Sequence, residues 1–107
     1  MKFLLLACPD ETFTMRPGPA AELEHWSDEL RRSGVLIEGH RLRGVSDATT
    51  VRDNGALVTD GPFAETREQI AGYDVIDCSG PEEAVDIAAR HPVARYGAVE
   101  VRPFWEQ

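Results

Sequence analysis

The side chains best suited to acid–base chemistry are a histidine and an aspartate in the middle of the chain, His40 and Asp60. Imidazole titrates near neutral pH, so His40, two residues after Glu38, can take up and return a proton. Asp60 stands where Gly61-Pro62 breaks a strand, and a carboxylate there can act as a general base. Two structural alternatives stay open: a His40 satisfied in the core, and an Asp60 that caps its own turn.

Candidate substrate-binding residues follow the same turn. Phe63 ends the turn, and Arg67 can hold an anionic substrate through its guanidinium group. Glu65 lies between them and forms with Glu68 a possible pair of carboxylates. A solvated loop is the alternative for these charges, since exposed charges contribute little to stability.

Two further binding candidates, Tyr73 and Arg102, lie on predicted strands. Each would hydrogen-bond a polar ligand if its face of the sheet lines a cleft. Pairing of Arg102 across the sheet with Asp74 or Asp77 is the structural alternative.

The remaining two histidines are expected to be structural or exposed. His91 stands at a predicted helix end, where the helix dipole explains it, and His25 is expected to face solvent. The sequence has no His pair at helical spacing, no clustered cysteines and no glycine-rich phosphate loop. We therefore expect no metal and no cofactor.

Composition limits the function classes. The 107 residues predict a single domain, 1–107, and 11 basic against 19 acidic residues give a net charge of −8. Too few cations are present for direct nucleic-acid binding, and residues 3–8 form an apolar run too short to span a membrane. A cytoplasmic protein with a small-molecule ligand is the expectation.

The spacing of apolar residues predicts the elements that must position these groups. The continuous apolar run at residues 3–8 indicates a central strand. The helical spacing of Leu23, Trp26, Ser27 and Leu30 indicates a helix that Gly34 ends. Alternation of side chains in the next strand places Leu36 and His40 on one face. Asn54-Gly55 favours a two-residue type I′ hairpin turn. The predicted elements are strand 2–8, helix 20–33, strand 35–42, hairpin strands 48–53 and 56–59, strand 73–78, a helix from Gly80-Pro81 to His91-Pro92, and strand 98–103.

Without the hairpin, this order is βαββαβ, which predicts a ferredoxin-like α+β fold with the first strand in the centre of the sheet. The aromatic tail, Phe104 and Trp105, is expected to cover apolar surface or to contact a partner subunit.

One segment resembles a known family closely. Residues 57–78 contain Asp60-Gly61-Pro62-Phe63 and then Gly72-Tyr73, in the pattern of the DGPF-type branch of the YCII-related family. The resemblance continues through Ala88-Ala89-Arg90-His91-Pro92 and residues 97–103, and it covers nearly the whole chain. Such a match is specific for a family, and it does not specify a reaction.

The resemblance implies a homodimer in which two ferredoxin-like subunits form a dimeric α+β barrel. It also implies association with extracytoplasmic-function sigma factors in some members, and the broader group includes a lyase of chloro-hydroxyquinol type. A cleft His–Asp pair has been proposed there as the acid–base pair. The position of that helix histidine, eleven residues before Gly34, holds Leu23 here, and His25 lies about 200° around the helix from it. The pair therefore does not carry over intact.

Two functions are consistent with these residues. The first is a cofactor-independent small-molecule lyase or isomerase, in which Asp60 and His40 exchange protons with a ligand that Tyr73 or Arg102 orients. The second is a non-catalytic dimeric module that binds a ligand or associates with a sigma factor.

Overall fold

The chain forms two helices on one face of a four-stranded sheet, together with a separate two-stranded hairpin. The computed structural model describes residues 1–10, 18–63 and 69–106. The elements are β1 (Lys2–Pro9), α1 (Pro19–Arg32), β2 (Leu36–Arg41), β3 (Thr49–Arg52), β4 (Leu57–Asp60), β5 (Gly72–Asp77), α2 (Pro81–Ala89) and β6 (Gly97–Pro103).

The main sheet has the strand order β2-β5-β1-β6, and all three neighbouring pairs are antiparallel. This is the sheet of a ferredoxin-like βαββαβ fold, because each helix carries the chain over one face between parallel strands. The predicted α+β fold is therefore confirmed. β1 lies between β5 and β6, as its continuous apolar run predicts.

Apolar side chains from the sheet and both helices form one core. Phe3 and Leu5 of β1 and Ile76 of β5 are almost fully buried against the helices. Trp26 of α1 donates its indole N–H to the Ile87 carbonyl of α2 at 3.0 Å, so the two helices are joined by a buried hydrogen bond. None of the described helices is long and apolar enough to cross a membrane.

A Schellman motif ends α1. Gly34 has a φ of +80°, and its N–H donates to the Arg31 carbonyl at 3.2 Å, while the Val35 N–H donates to the Leu30 carbonyl at 2.9 Å. These bonds satisfy carbonyls that the last turn of a helix leaves free, and the left-handed conformation favours glycine. The predicted role of Gly34 is confirmed.

A β-bulge in β2 changes which side chains share a face. The pairing of β2 with β5 shifts between Leu36 and Glu38, so one extra residue is inserted there. Leu36 is buried under the helices, whereas Glu38 and His40 are exposed. The prediction that Leu36 and His40 share one face is therefore wrong, because the bulge reverses the alternation after residue 37.

The hairpin loop is longer than predicted. Arg52 and Leu57 form its last cross-strand pair, which leaves four residues in the loop. Asp53 and Asn54 have φ values of +54° and +53°, and Gly55 follows at +93°. The predicted two-residue turn is therefore wrong. Asp53 adopts the left-handed region together with Asn54, which both residue types tolerate, so the chain reverses over more residues than Asn54-Gly55 alone.

The second face of the main sheet bears no helix in the described part of the chain. Leu4 and Leu6 are half-buried on this open face, between neighbours from β5 and β6. Arg102 also lies there, with its Nε 3.8 Å from Glu100 Oε2. Pairing of Arg102 with a β5 carboxylate does not occur, since β1 separates β6 from β5.

Replacement of Gly34 tests the helix end. We expect Gly34→Ala to lower the free energy of unfolding by about 1–2 kcal/mol, because a Cβ strains the left-handed conformation. No atom lies within 4 Å of the added Cβ, so the effect is one of backbone strain alone. Urea denaturation measures it, with Gly44→Ala as the control, since Gly44 has a φ of −62°. Equal losses in both variants would contradict the assignment.

Candidate functional site

A cleft of about 460 Å³ opens between α1 and the helix-covered face of the sheet. Small residues of three strands, Ala7, Gly39 and Gly72, form its floor, and Leu23 and Ser27 of α1 form part of its wall. The floor residues are too small to fill the space under α1. The four residues whose helical spacing predicts α1 divide between two environments: Trp26 and Leu30 pack in the core, while Leu23 and Ser27 border the cleft.

Asp74 brings a carboxylate into this cleft. It pairs with Leu5 on β1 and shares the face of Ile76, so it stands on the side of the sheet that the helices cover. Its side chain is 13% exposed, and no described group donates a hydrogen bond to it. Loss of hydration raises the pKa of Asp74 from 3.8 to about 6, against the opposing electrostatic effects of Arg31 and, after it, His40.

His91, which follows α2, approaches the same carboxylate. The ring is buried, with 3% of its side chain exposed, and its Nε2 lies 3.7 Å from Asp74 Oδ2. The Val93 N–H donates to Nδ1 at 3.0 Å, so the neutral ring carries its proton on Nε2, towards Asp74. Desolvation lowers the pKa of His91 from 6.5 to about 4. Trp26 holds the ring edge-on, with the centroids 4.6 Å apart.

At neutral pH the pair therefore holds one negative charge, on Asp74, beside an uncharged imidazole. The separation of 3.7 Å is too long for a hydrogen bond, so the carboxylate oxygens are free to accept a proton from a bound molecule. A desolvated carboxylate with a raised pKa in a cleft is a typical general base.

Gly39 leaves the space that the Asp74 carboxylate occupies. Gly39 and Asp74 are cross-strand partners on the same face, and a Cβ at residue 39 would overlap the Oδ1 atom of Asp74. Without the bulge, the register that pairs Leu36 with Ile76 would place Glu38 opposite Asp74, so the bulge is what brings this glycine opposite the carboxylate.

The structure brings together two of the residues predicted from sequence. His40 and Tyr73 are cross-strand partners whose ring centroids are 5.6 Å apart, and both border the cleft. Strand alternation directs their side chains to the face opposite Asp74. His40 is 59% exposed, with Nε2 3.2 Å from Glu38 Oε2, so the alternative of a core histidine is wrong. Arg102 lies on the open face and is not among the described residues that line the cleft.

The other predicted residues lie on or after the hairpin. Asp60 ends β4 and is exposed, and Phe63 is 76% exposed, with the guanidinium carbon of Arg52 5.8 Å from its ring centroid. Neither residue lines the cleft in the part of the chain that the structure describes. Glu65 and Arg67 lie outside the described residues, so their predicted roles stay predictions.

Comparison with known proteins identifies the family. The model of the YCII-related domain matches residues 1–107, the full sequence. The chain belongs to the YCII-related family. Its membership of the DGPF-type branch stays a prediction. An uncharacterised protein of Rhizobium meliloti (strain 1021) is 43% identical over 75 residues, which are 66% of this chain and 60% of that protein's length.

A solved structure shares the fold of this YCII-related chain. It is 5-chloro-2-hydroxyhydroquinone dehydrochlorinase (TftG) from Burkholderia phenoliruptrix AC1100, in complex with 2,5-dihydroxybenzoquinone. The TM-score is 0.63 at 14% identity, and the alignment covers 100% of this chain and 96% of the other. At this identity the similarity shows the fold alone.

Sequence reasoning did not select Asp74 and His91 as functional residues. Asp74 lies two residues before the apolar Ile76, so strand alternation places both side chains on the same face of the sheet. This alternation was the available signal that the Asp74 carboxylate points under the helices. For His91, no local signal existed, because its contact with Asp74 depends on how α2 packs. Among the described residues, no three His, Cys, Asp or Glu side chains come close enough to hold a metal ion.

Neutralisation of Asp74 should change how stability depends on pH. The folded chain holds the Asp74 proton up to about pH 6 and the unfolded chain only to about 3.8, so this group lowers stability as pH rises between these values. We expect Asp74→Asn to be more stable than the wild type by about 1–3 kcal/mol at pH 7.5, and by little at pH 3.5. Urea denaturation across this range measures the difference.

His91 has the opposite sign, because the unfolded chain binds its proton up to pH 6.5 and the folded chain only to about 4. The stability of Asp74→Asn should therefore rise more steeply than that of the wild type between pH 4 and 6. Asp86→Asn on the exposed surface of α2 is the control and should follow the wild type. An Asp74→Asn curve parallel to the wild-type curve would contradict the assignment.

Proposed function

We propose that this protein is a cofactor-independent lyase or isomerase for a small molecule, with Asp74 as the general base. The observation that carries the proposal is the Asp74 carboxylate, which is desolvated, accepts no hydrogen bond from a described group and stands 3.7 Å from His91 in a cleft of about 460 Å³. That volume suits a small organic ligand.

The chemistry needs only these groups. Asp74 removes a proton from a C–H or O–H bond of the ligand. In an elimination, the electron pair of that bond forms a new double bond, and the leaving group departs with its own bonding pair. In an isomerisation, the same carboxyl group returns the proton to another atom of the ligand. His91 directs its Nε2 proton towards Asp74 and stabilises the ionised form in a site with little water.

One enzyme with this fold has a description that is compatible with the proposed class. TftG, which shares the fold over 100% of this chain, is by its description a dehydrochlorinase in complex with 2,5-dihydroxybenzoquinone. Its description therefore supplies the first class of compound to test, chlorinated and hydroxylated six-membered rings.

Loss of the Asp74 carboxylate should abolish proton transfer. The wild type is incubated with chlorinated hydroxyquinols and with related cyclic ketones in D2O, and chloride release and deuterium incorporation are followed by NMR. We expect Asp74→Asn to lower the rate about 100-fold or more, because general base catalysis contributes about 10²–10⁴-fold. The wild-type rate should rise through about pH 6, as Asp74 ionises.

Two variants complete this test. Asp86→Asn should match the wild type, and Gly39→Ala should lower the rate because the added Cβ displaces the carboxylate. Wild-type turnover that persists in Asp74→Asn would contradict the proposal. Ligand binding without exchange or chloride release for any compound would favour the non-catalytic module.

We propose further that the protein is a homodimer joined through the open face of the sheet. Leu4 and Leu6 are half-buried there although they lie in the central strand, and a second sheet would cover them. Trp105 extends beyond β6 with 91% of its surface exposed, at the edge of the same sheet. Partner subunits bury such aromatic side chains preferentially.

A charge on the open face should separate the subunits. We expect Leu6→Arg to be monomeric by sedimentation equilibrium at concentrations where the wild type is dimeric, because the interface would bury an unpaired guanidinium group. Val85→Arg, on the exposed surface of α2, should stay dimeric. Circular dichroism confirms that both variants are folded. A wild type that is monomeric, or a dimeric and folded Leu6→Arg, would contradict the proposal.

A further inference from the structure

The charge of the cleft is opposite to that of the protein. The chain has a net charge of −8, yet among the described residues Arg31 of α1 and Arg41 of β2 both line the cleft with one carboxylate, that of Asp74. His91 is neutral there at physiological pH. With Asp74 ionised, these groups leave one excess positive charge, and a cleft with low-dielectric walls concentrates ligands of the opposite sign.

Both guanidinium groups are available to a ligand. The Nη1 atom of Arg31 lies 3.5 Å from Asp28 Oδ1, and both side chains are exposed, so this is a weak ion pair. Arg41 forms no ion pair with any described residue, and it follows Gly39 by two positions, so it lies on the face of Asp74. Within the part of the chain that the structure describes, neither cation is therefore held by a strong partner.

The rest of the wall is mostly apolar. Leu23 of α1, Leu36 of β2 and Val93 after α2 surround the space between Asp74 and the two arginines. A ligand that fits has an apolar body with one anionic group, since a second charge would lie against these side chains without a partner.

We propose that the cleft binds a small organic monoanion, a carboxylate or an ionised phenol or enol on an apolar body, through Arg31 and Arg41. This inference rests on the proposed function and names its substrate class. The arginines hold the ligand oxyanion, and the apolar wall directs the remaining part of the ligand towards the Asp74 carboxylate.

The affinity for an anion should increase as pH falls through about 6. The titratable or charged groups that line the cleft within the described residues are Arg31, His40, Arg41, Tyr73, Asp74 and His91, from α1, β2, β5 and the segment after α2. Protonation of Asp74 removes the negative charge of its carboxylate, which repels the anion. Asp74→Asn should therefore bind anions at least as well as the wild type and should lose most of this pH dependence. His40→Gln should retain it.

The experiment uses the full chain and two ionised probes, benzoate and 2,4-dinitrophenolate, with benzamide as the neutral counterpart of benzoate. Dissociation constants are measured by NMR titration at pH 7.5. We expect Arg31→Gln and Arg41→Gln each to weaken binding of the anions about tenfold, the effect of losing one charged hydrogen bond, and to leave benzamide unaffected. Arg32→Gln is the control, because Arg32 is exposed on α1 and does not line the cleft.

Preferential binding of benzoate identifies a carboxylate ligand, and preferential binding of dinitrophenolate identifies an ionised ring hydroxyl. Absence of binding for both anions, or equal affinities in Arg31→Gln, Arg41→Gln and Arg32→Gln, overturns the inference. Turnover that depends on Asp74 but not on either arginine leaves the proposed function standing without this substrate class. If anion binding depends on the arginines but Asp74→Asn retains turnover, the role of Asp74 as the general base is refuted and the substrate class is not.

Discussion

The arrangement of the cleft depends on the burial of one carboxylate under the helices. A carboxylate taken out of water must be neutralised, paired or left in contact with a space that a polar molecule can enter. Asp74 has no hydrogen-bond donor among the described residues, and α1 does not close over it. The helix packs through Trp26 and Leu30 and leaves a cavity beside Leu23 and Ser27.

The fold was predictable from sequence because it follows from hydrophobic periodicity and turn residues. β1, both helices and Gly34 agree with the structure within a few residues. The bulge in β2 and the four-residue hairpin loop were not predictable in this way. Each depends on which backbone pairs form across the sheet, and periodicity within one strand contains no information about its partner's register.

The site was predictable only in part, for the same physical reason. His40 and Tyr73 were selected by residue type, and the sheet does bring them together at the rim of the cleft. Asp74 lies on β5, and His91 follows α2. The two side chains approach each other because α2 carries the chain back over the helix-covered face of the sheet. Leu23 and His91 line the same cleft, and the imidazole there comes from the segment after α2 and not from α1.

The hydrogen bond from the Val93 N–H to His91 Nδ1 restricts the imidazole to the role of a donor. Protonation of Nδ1 would break this bond at the start of the turn Pro92–Ala94, which leads into β6. The ring can therefore offer its one proton but has no free position to store a second. Under the proposed function, a proton taken up by Asp74 would therefore not pass on to this ring, and it would return to the ligand or leave through the mouth of the cleft.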